Sequence, residues 1–307
     1  MTLRLGTRGS ALALAQSRLV AAAVERATGM PVELVEIVTP GDRSSAPVAQ
    51  LGVGVFVSAL RDALGAKEID FAVHSYKDLP TAPADGLLIA AIPQREDPRD
   101  ALIARDGLTL AELPHGSTIG TGAVRRIAQL HALGMGLRTV PIRGNVDTRL
   151  RKVAEGELDA VVLAKAGLAR LGRASEITEI LDPMLMLPAP AQGALAIECR
   201  STATDLAGVL ATLDDRATRA AVTAERALLA ALEAGCSAPV AGLAEVTEDD
   251  EIYLRGVVIS EDGLFAVKQS RTGTLTDAEK VGRLLAADLL DDGANQVLIG
   301  TRMGSAE

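Results

Sequence analysis

The stretch Ile69-Asp70-Phe71-Ala72-Val73-His74-Ser75-Tyr76-Lys77-Asp78-Leu79-Pro80 passes from a strand pattern into a polar run and stops at a proline. Ile69, Phe71 and Val73 alternate with period two, as in a strand with one face on a core. Pro80 has no N–H and restricts Leu79, so the ladder cannot simply continue. The strand therefore ends by presenting Lys77 and Asp78. In open α/β sheets ligands sit outside the carboxyl ends of strands, so a carboxylate held here suits a site. A solvated surface ion pair fits the same residues, and this stretch alone leaves both readings open.

Working outward, Leu3 to Thr7 reads as a first strand, and Thr7-Arg8-Gly9-Ser10 turns into a helix running to about Arg26 with Ser10 as N-cap. That junction supplies N–H groups, a hydroxyl and a guanidinium, which is the equipment for an anion or simply a capped helix with an exposed arginine. Val32 to Thr39 is a second strand. Leu51-Gly52-Val53-Gly54-Val55-Phe56 is a glycine-bearing loop opening a helix with Val57, Leu60, Ala63 and Leu64 on its apolar face. It has neither the G-x-G-x-x-G spacing nor a phosphate-loop lysine, so as a nucleotide signature it is weak. After a strand at Leu87 to Ile92, Pro93-Gln94-Arg95-Glu96-Asp97-Pro98-Arg99-Asp100 forms a charged, proline-punctuated crossover and the first boundary.

A second βα series follows, with strands at Thr118 to Gly120, Thr139 to Arg143 and Asp159 to Ala164. Each strand end leads to basic residues: Arg125 and Arg126, then Arg143 and Arg149, then Lys165, Arg170 and Arg173. Twin arginines at a helix start oppose the macrodipole and repel each other, so the pattern calls for a compensating anion. Met184 to Gly193 is a second proline-rich crossover, and Ala194 to Cys199 is strand-like, with Cys199 as a buried thiol. A helix from about Arg216 to Ala234 is expected to close on Gly235, a natural C′ glycine. Cys236 then lies on a loop, as a nucleophile, an attachment point or an inert packing residue. Ile252 to Ile259, Leu264 to Arg271 and a helix from about Asp277 to Leu290 make a small α+β domain.

Composition narrows the function. With 307 residues, 48% hydrophobic and 23% charged, the chain is long enough for two or three cored domains. No stretch approaches the roughly 18 apolar residues of a membrane span, and the N-terminus lacks a signal-peptide pattern, so a cytoplasmic protein is expected. A net charge of −9 and 2% aromatic residues argue against a nucleic-acid groove. Two cysteines exclude a disulfide scaffold, and His74, His115 and His131 have no metal-ligand spacing. Of the 31 basic residues 25 are arginine, whose planar fork suits carboxylates, although high genomic G+C content produces the same bias.

Six motifs, in order, resemble the porphobilinogen deaminase family over nearly the whole chain. They are Leu5-Gly6-Thr7-Arg8-Gly9-Ser10, Ala72 to Pro80, Arg95-Glu96-Asp97-Pro98-Arg99-Asp100, Ile142-Arg143-Gly144-Asn145, Pro190-Ala191-Gln192-Gly193 and Ala234-Gly235-Cys236. The resemblance implies an α/β fold: two periplasmic-binding-protein-like βαβ domains joined by two crossovers, plus a small C-terminal α+β domain. Domain 1 is expected at 1–94 and 194–213, domain 2 at 99–188 and domain 3 at 217–307, with the active site in the cleft. It implies a transferase, hydroxymethylbilane synthase, that joins four porphobilinogen molecules head-to-tail and releases a linear tetrapyrrole with ammonia.

The same resemblance implies a dipyrromethane cofactor held by a thioether to Cys236, with Asp78 as catalytic carboxylate. It implies cofactor contacts from Ser75, Lys77, Asp78, Thr121, Arg125 and Arg126. Substrate contacts are implied for Arg8, Ser10, Gln16, Phe56, Arg143, Arg149 and Arg170. No metal, nucleic acid or membrane is implied, and a monomer is expected. Two departures stand out: Gly122-Ala123 replaces the Thr-Ser-Ser serines of many relatives, and Val53 stands where many have a lysine. The rival reading is a non-catalytic anion-binding module, since the same two-lobed architecture serves solute capture.

Overall fold

A computed structural model of the chain describes residues 2–38, 57–234 and 238–298. The glycine-bearing loop with Phe56, and the segment containing Cys236, lie outside the described residues. The described chain carries three sheets and divides into two compact units, Met1–Glu96 with Ala194–Arg219 and Asp97–Gly193 with Ala220–Glu307.

In the first unit, β1 (Leu3–Thr7) lies between β2 (Val32–Glu36) and β3 (Phe71–Ser75), parallel to both. The sheet is completed by β4 (Leu87–Ala91) at its edge and by the strand between β3 and β4, β10 (Leu195–Arg200), which is antiparallel to each. Phe71, Val73, Leu5, Ile197 and Cys199 form one buried cluster with the helix Ala11–Thr28. Leu60, Leu64, Ile69 and Ala72 form the cluster on the helix Ser58–Gly65. Two-sided burial explains the near-continuous apolar character of these strands.

The second unit repeats the arrangement. There β6 (Thr118–Gly120) pairs in parallel with β7 (Arg138–Val140) and β8 (Ala160–Ala164). β5 (Asp100–Ala104) is inserted antiparallel between β8 and β9 (Glu179–Ile180). β5 and β10 thus hold equivalent places, and each is the strand reached directly from a crossover. The sequence reading put Asp100 in the crossover; it is instead the first residue of β5 and fully buried. A lone aspartate before the run Ala101 to Ala104 reads as loop until its partners are known.

The remaining sheet is antiparallel, β11 (Val240–Val246), β12 (Glu251–Ile259) and β13 (Ala266–Thr274), packed with the helices Arg216–Ala231 and Ala278–Asp291. The expected hairpin is therefore the outer part of a three-stranded sheet. This sheet shares the second unit because Ala128 and Leu187 interlock with Ala241, Leu243, Val257 and Ile259.

The helix Arg216–Ala231 closes earlier than its glycine suggests. The left-handed residue is Glu233 (φ 50°), with Glu233 N–H donating to Ala230 and Ala234 N–H to Leu229. That pair of bonds is a Schellman closure with Glu233 at C′. Buried Leu232 and Ala234 flank exposed Glu233, so apolar anchoring rather than glycine's freedom chooses the turn position. Residues 235–237 are thus bounded by buried Ala234 and, beyond Ala238 and Pro239, by buried Val240.

Gly282 carries the closest helix contact in this part of the fold: a Cβ built there would lie 2.2 Å from the Ala224 carbonyl oxygen and 2.8 Å from the Leu228 nitrogen. Backbone atoms cannot yield as a side chain can. Gly282→Ala should therefore destabilise by about 1–3 kcal/mol, against the gain of up to ~1 kcal/mol that alanine brings to a helix interior. Urea unfolding measures the sign, and a more stable variant would contradict the packing described.

Candidate active site

In the first unit, the parallel pairing of β1 with β3 brings two strand ends to the same edge of the sheet. β1 delivers buried Thr7, then Arg8, and Ser10 caps the following helix by accepting from Ala13 N–H at 3.3 Å. β3 delivers Ser75, and a single 3-10 turn, Tyr76–Asp78, follows. Tyr76 N–H donates to the Ala194 carbonyl at 3.0 Å, and Leu79 N–H to that of Tyr76 at 3.2 Å. Leu79 is buried in a cluster with Val57 and Ala196, while Asp78 before it is exposed. An apolar anchor beside an exposed carboxylate fixes the backbone without burying the charge. Buried Gln16 reaches across from the helix Ala11–Thr28 and donates to Ser75 Oγ at 2.9 Å.

Beneath this edge, His74 and Glu198 are both buried and meet at 3.2 Å, and Arg61 grips Glu198 with two nitrogens at 2.9 and 3.1 Å. Burial opposes ionisation of Glu198, but His74 and Arg61 outweigh it and hold the carboxyl below its ordinary range. His74 therefore supports the strand that ends in Asp78. Cys199 is buried, with its thiol pushed up by burial, in keeping with a packing role.

In the second unit the basic residues follow β6, β7 and β8, whose carboxyl ends share one edge. Arg125 and Arg126 start the helix Val124–Ala132, and each is only 5% exposed. The anion their sequence position required is Asp100. Arg125 Nη1 donates to Asp100 Oδ2 at 2.7 Å, and Arg126 donates to Oδ1 through Nη2 at 2.7 Å and Nε at 3.2 Å. The remaining donors reach the Leu187 and Val162 carbonyls at 2.8 and 2.9 Å, and Gln192 Oε1 at 3.3 Å. The expected contact of this pair with a ligand is thus preceded by an internal one. Thr121, also expected at the cofactor, is buried and accepts from Ala123 N–H at 3.3 Å.

Arg143 and Arg149 are half-buried around the Asn145-capped helix Val146–Ala154. Gly144, at φ 102°, turns its carbonyl to receive Arg149 Nε at 2.8 Å, a conformation that side chains resist. Burial lowers the Arg149 guanidinium from its usual value, and Arg126 and Arg143 push the same way. Arg143 and Arg149 follow β7 at the edge that Arg125 and Arg126 reach from β6. Arg170 Nη2 donates to the Gly193 carbonyl at 2.6 Å. Arg173 leaves the expected rim, because Asp147 and Glu176 pair with it. Lys165 joins Asp97 at 2.9 Å, where Arg99 also binds.

The family model described as Porphobilinogen deaminase, dipyromethane cofactor binding domain, matches residues 3–208, and that described as Porphobilinogen deaminase, C-terminal domain, matches residues 219–291. The chain belongs to the porphobilinogen deaminase family. A porphobilinogen deaminase of Nocardia farcinica is 59% identical over 305 residues, covering 97% of this chain and 88% of that one. One of Mycobacterium tuberculosis is 57% identical over 308 residues, covering 98% and 99%. Among solved structures, an ABC transporter periplasmic substrate-binding protein of Coxiella burnetii aligns with 69% of this chain and 91% of its own, at 11% identity and a TM-score of 0.45. The methionine binding protein MetQ aligns with 69% and 89%, at 12% identity and a TM-score of 0.43.

The family's first domain carries dipyrromethane, a group bearing carboxylates. The guanidiniums that follow β6 and β7 at one edge fit such a group, since the planar guanidinium fork matches a carboxylate. Sequence reasoning missed Asp100, Gln192 and Glu198 as site-building residues. Asp100 and Gln192 did stand inside motifs, but nothing local to a crossover says that its polar residues are buried.

Acid sensitivity follows from these carboxylates. Burial opposes ionisation of Asp97 and Asp100, yet Arg99 with Lys165, and Arg125 with Arg126, hold both well below the usual range. Folded-state values below unfolded ones give stabilisation that is complete above the ordinary aspartate value of about 3.9 and lost as pH falls through the folded values. The melting temperature should stay level from neutral pH to about pH 5 and drop steeply below about pH 4. A midpoint unchanged at low pH would contradict the assigned pairings.

Proposed function

We propose that the chain is a hydroxymethylbilane synthase in which Asp78 is the catalytic carboxylate and Cys236 anchors the dipyrromethane. The family makes it a transferase of tetrapyrrole, including haem, biosynthesis, and porphobilinogen is the substrate that accords with it. The reaction joins four porphobilinogens head-to-tail, with loss of ammonia, on the bound primer. The observation that supports the arginine assignments is that Arg125, Arg126, Arg143 and Arg149 all follow the carboxyl ends of two neighbouring parallel strands, β6 and β7. Porphobilinogen brings an acetate and a propionate, so each added ring supplies two carboxylates to such a surface.

The roles divide by charge. Arg143 and Arg149, with Arg8, Ser10, Gln16 and Arg170, bind and orient carboxylate side chains, and Phe56 packs against pyrrole rings. Arg125, Arg126, Thr121, Ser75 and Lys77 serve the cofactor side. When bound, a dipyrromethane supplies a free pyrrole α-carbon that starts the chain. Asp78 accepts a hydrogen bond from the substrate's pyrrole N–H as positive charge develops there, and takes up and returns protons at the aminomethyl nitrogen. Its exposure, beside the buried anchor Leu79, supports that role. The parts are domain 1 (1–94 and 194–213) with Asp78, domain 2 (99–188) with the arginines and domain 3 (217–307) with Cys236. A cytoplasmic monomer acting without nucleic acid completes the proposal, and light scattering tests the monomer.

Asp78→Asn should keep the wild-type circular dichroism and lose at least about 10²-fold in kcat, as removal of a general acid–base group does. Near-normal turnover would remove the assignment. The intact mass of the purified protein should exceed its sequence mass by two linked pyrroles, and Cys236→Ser should abolish the excess; active protein of unmodified mass would contradict the anchor. Arg149→Gln should raise KM for porphobilinogen about tenfold or more, since a hydrogen bond to a charged group contributes ~1.5–3 kcal/mol.

A further inference from the structure

Asp100 joins several polar groups of the second unit. Its Oδ1 accepts from Arg126 Nη2 and Nε and from Gln192 Nε2 at 2.8 Å, and its Oδ2 accepts from Arg125 Nη1. Gln192 also donates to the Pro98 carbonyl at 2.7 Å, and its own oxygen receives Arg125. One step further, buried Gln129 donates to the Leu187 carbonyl at 3.0 Å and accepts from Leu187 N–H at 2.8 Å. The two crossovers and the start of the helix Val124–Ala132 are therefore tied to a single carboxylate.

That carboxylate does not balance the charge around it. Arg125 and Arg126 bring two positive charges to one negative, and Arg126 still acts on Arg149 as a like charge. The direction is set as well as the charge: with Nη2 and Nε on Asp100 and Nη1 on the Val162 carbonyl, the plane of the Arg126 guanidinium has no freedom to turn.

We infer that Asp100 is a positioning residue for ligand carboxylates: by orienting Arg126 and Gln192 from a buried point, it sets the guanidinium that follows β6 at the strand edge that Arg143 and Arg149 follow from β7. This rests on the functional reading above. Asp100 itself touches no ligand; it acts through Arg126. Asparagine in its place offers one acceptor and one N–H₂, and that N–H₂ meets guanidinium or amide donors. The orientation is lost even where the shape is kept.

The test uses the full chain as purified and porphobilinogen as probe. In Asp100→Asn, the fraction of molecules carrying the two-pyrrole mass excess should fall, and KM of the loaded fraction should rise about tenfold or more with a smaller change in kcat. The variant Asp100→Glu keeps the charge balance and displaces the carboxylate by one methylene. It should fold with wild-type circular dichroism and still load poorly, because Arg126 is no longer held in place. Full loading and wild-type KM in Asp100→Glu would overturn the inference and leave Asp100 a charge-balancing residue only. A wild-type mass without the excess would overturn the functional reading and this inference with it, whereas a normal wild-type mass with normal variants overturns the inference alone.

Discussion

The second unit depends on one buried carboxylate. Asp100 stands at the first position of β5, fully out of water, and it remains ionised because two guanidiniums surround it. Removing one partner from such a buried pair typically destabilises by roughly 3–5 kcal/mol, since an uncompensated charge is left behind. The constraint reaches outward from there. Arg125 and Arg126 can begin a helix despite the macrodipole only because Asp100 answers them, and the crossovers hold their course through Gln192, Pro98 and Leu187.

The first unit solves a similar problem in a similar place. Its inserted antiparallel strand, β10, carries Glu198, and this buried acid is met by Arg61 from the helix Ser58–Gly65 and by His74 from β3. Each mixed sheet thus has its antiparallel member fastened by an acid and an arginine. The two fastenings differ in balance. Glu198 faces one arginine and one histidine beneath an edge that ends in exposed Asp78, whereas Asp100 faces two arginines beneath an edge already rich in guanidinium. One edge therefore presents an exposed carboxylate and the other a run of guanidiniums.

Much of this was legible in the chain itself. Period-two alternation located β3 and its polar end, and Ser10 announced a helix start that the structure caps as expected. Other elements stayed hidden for definite reasons. β5 follows two prolines and a run of charges, so local propensity argues against a strand; long-range pairing with β8 overrides it. Glu233 closes its helix in place of Gly235 because burial of Leu232 and Ala234 outweighs the preference of glycine for positive φ. Arg173 looked like its neighbours in sequence, yet Asp147, 26 residues away, takes it out of the basic edge.

The sequence by itself determined the fold class and the family, because periodicity and motif spacing are properties of neighbours along the chain. Only the tertiary structure decided which internal partners the arginines take. Asp100 reaches Arg125 and Arg126 through a crossover, 25 residues before the first of them. Pairing across such a distance depends on sheet order and burial, which no local pattern encodes.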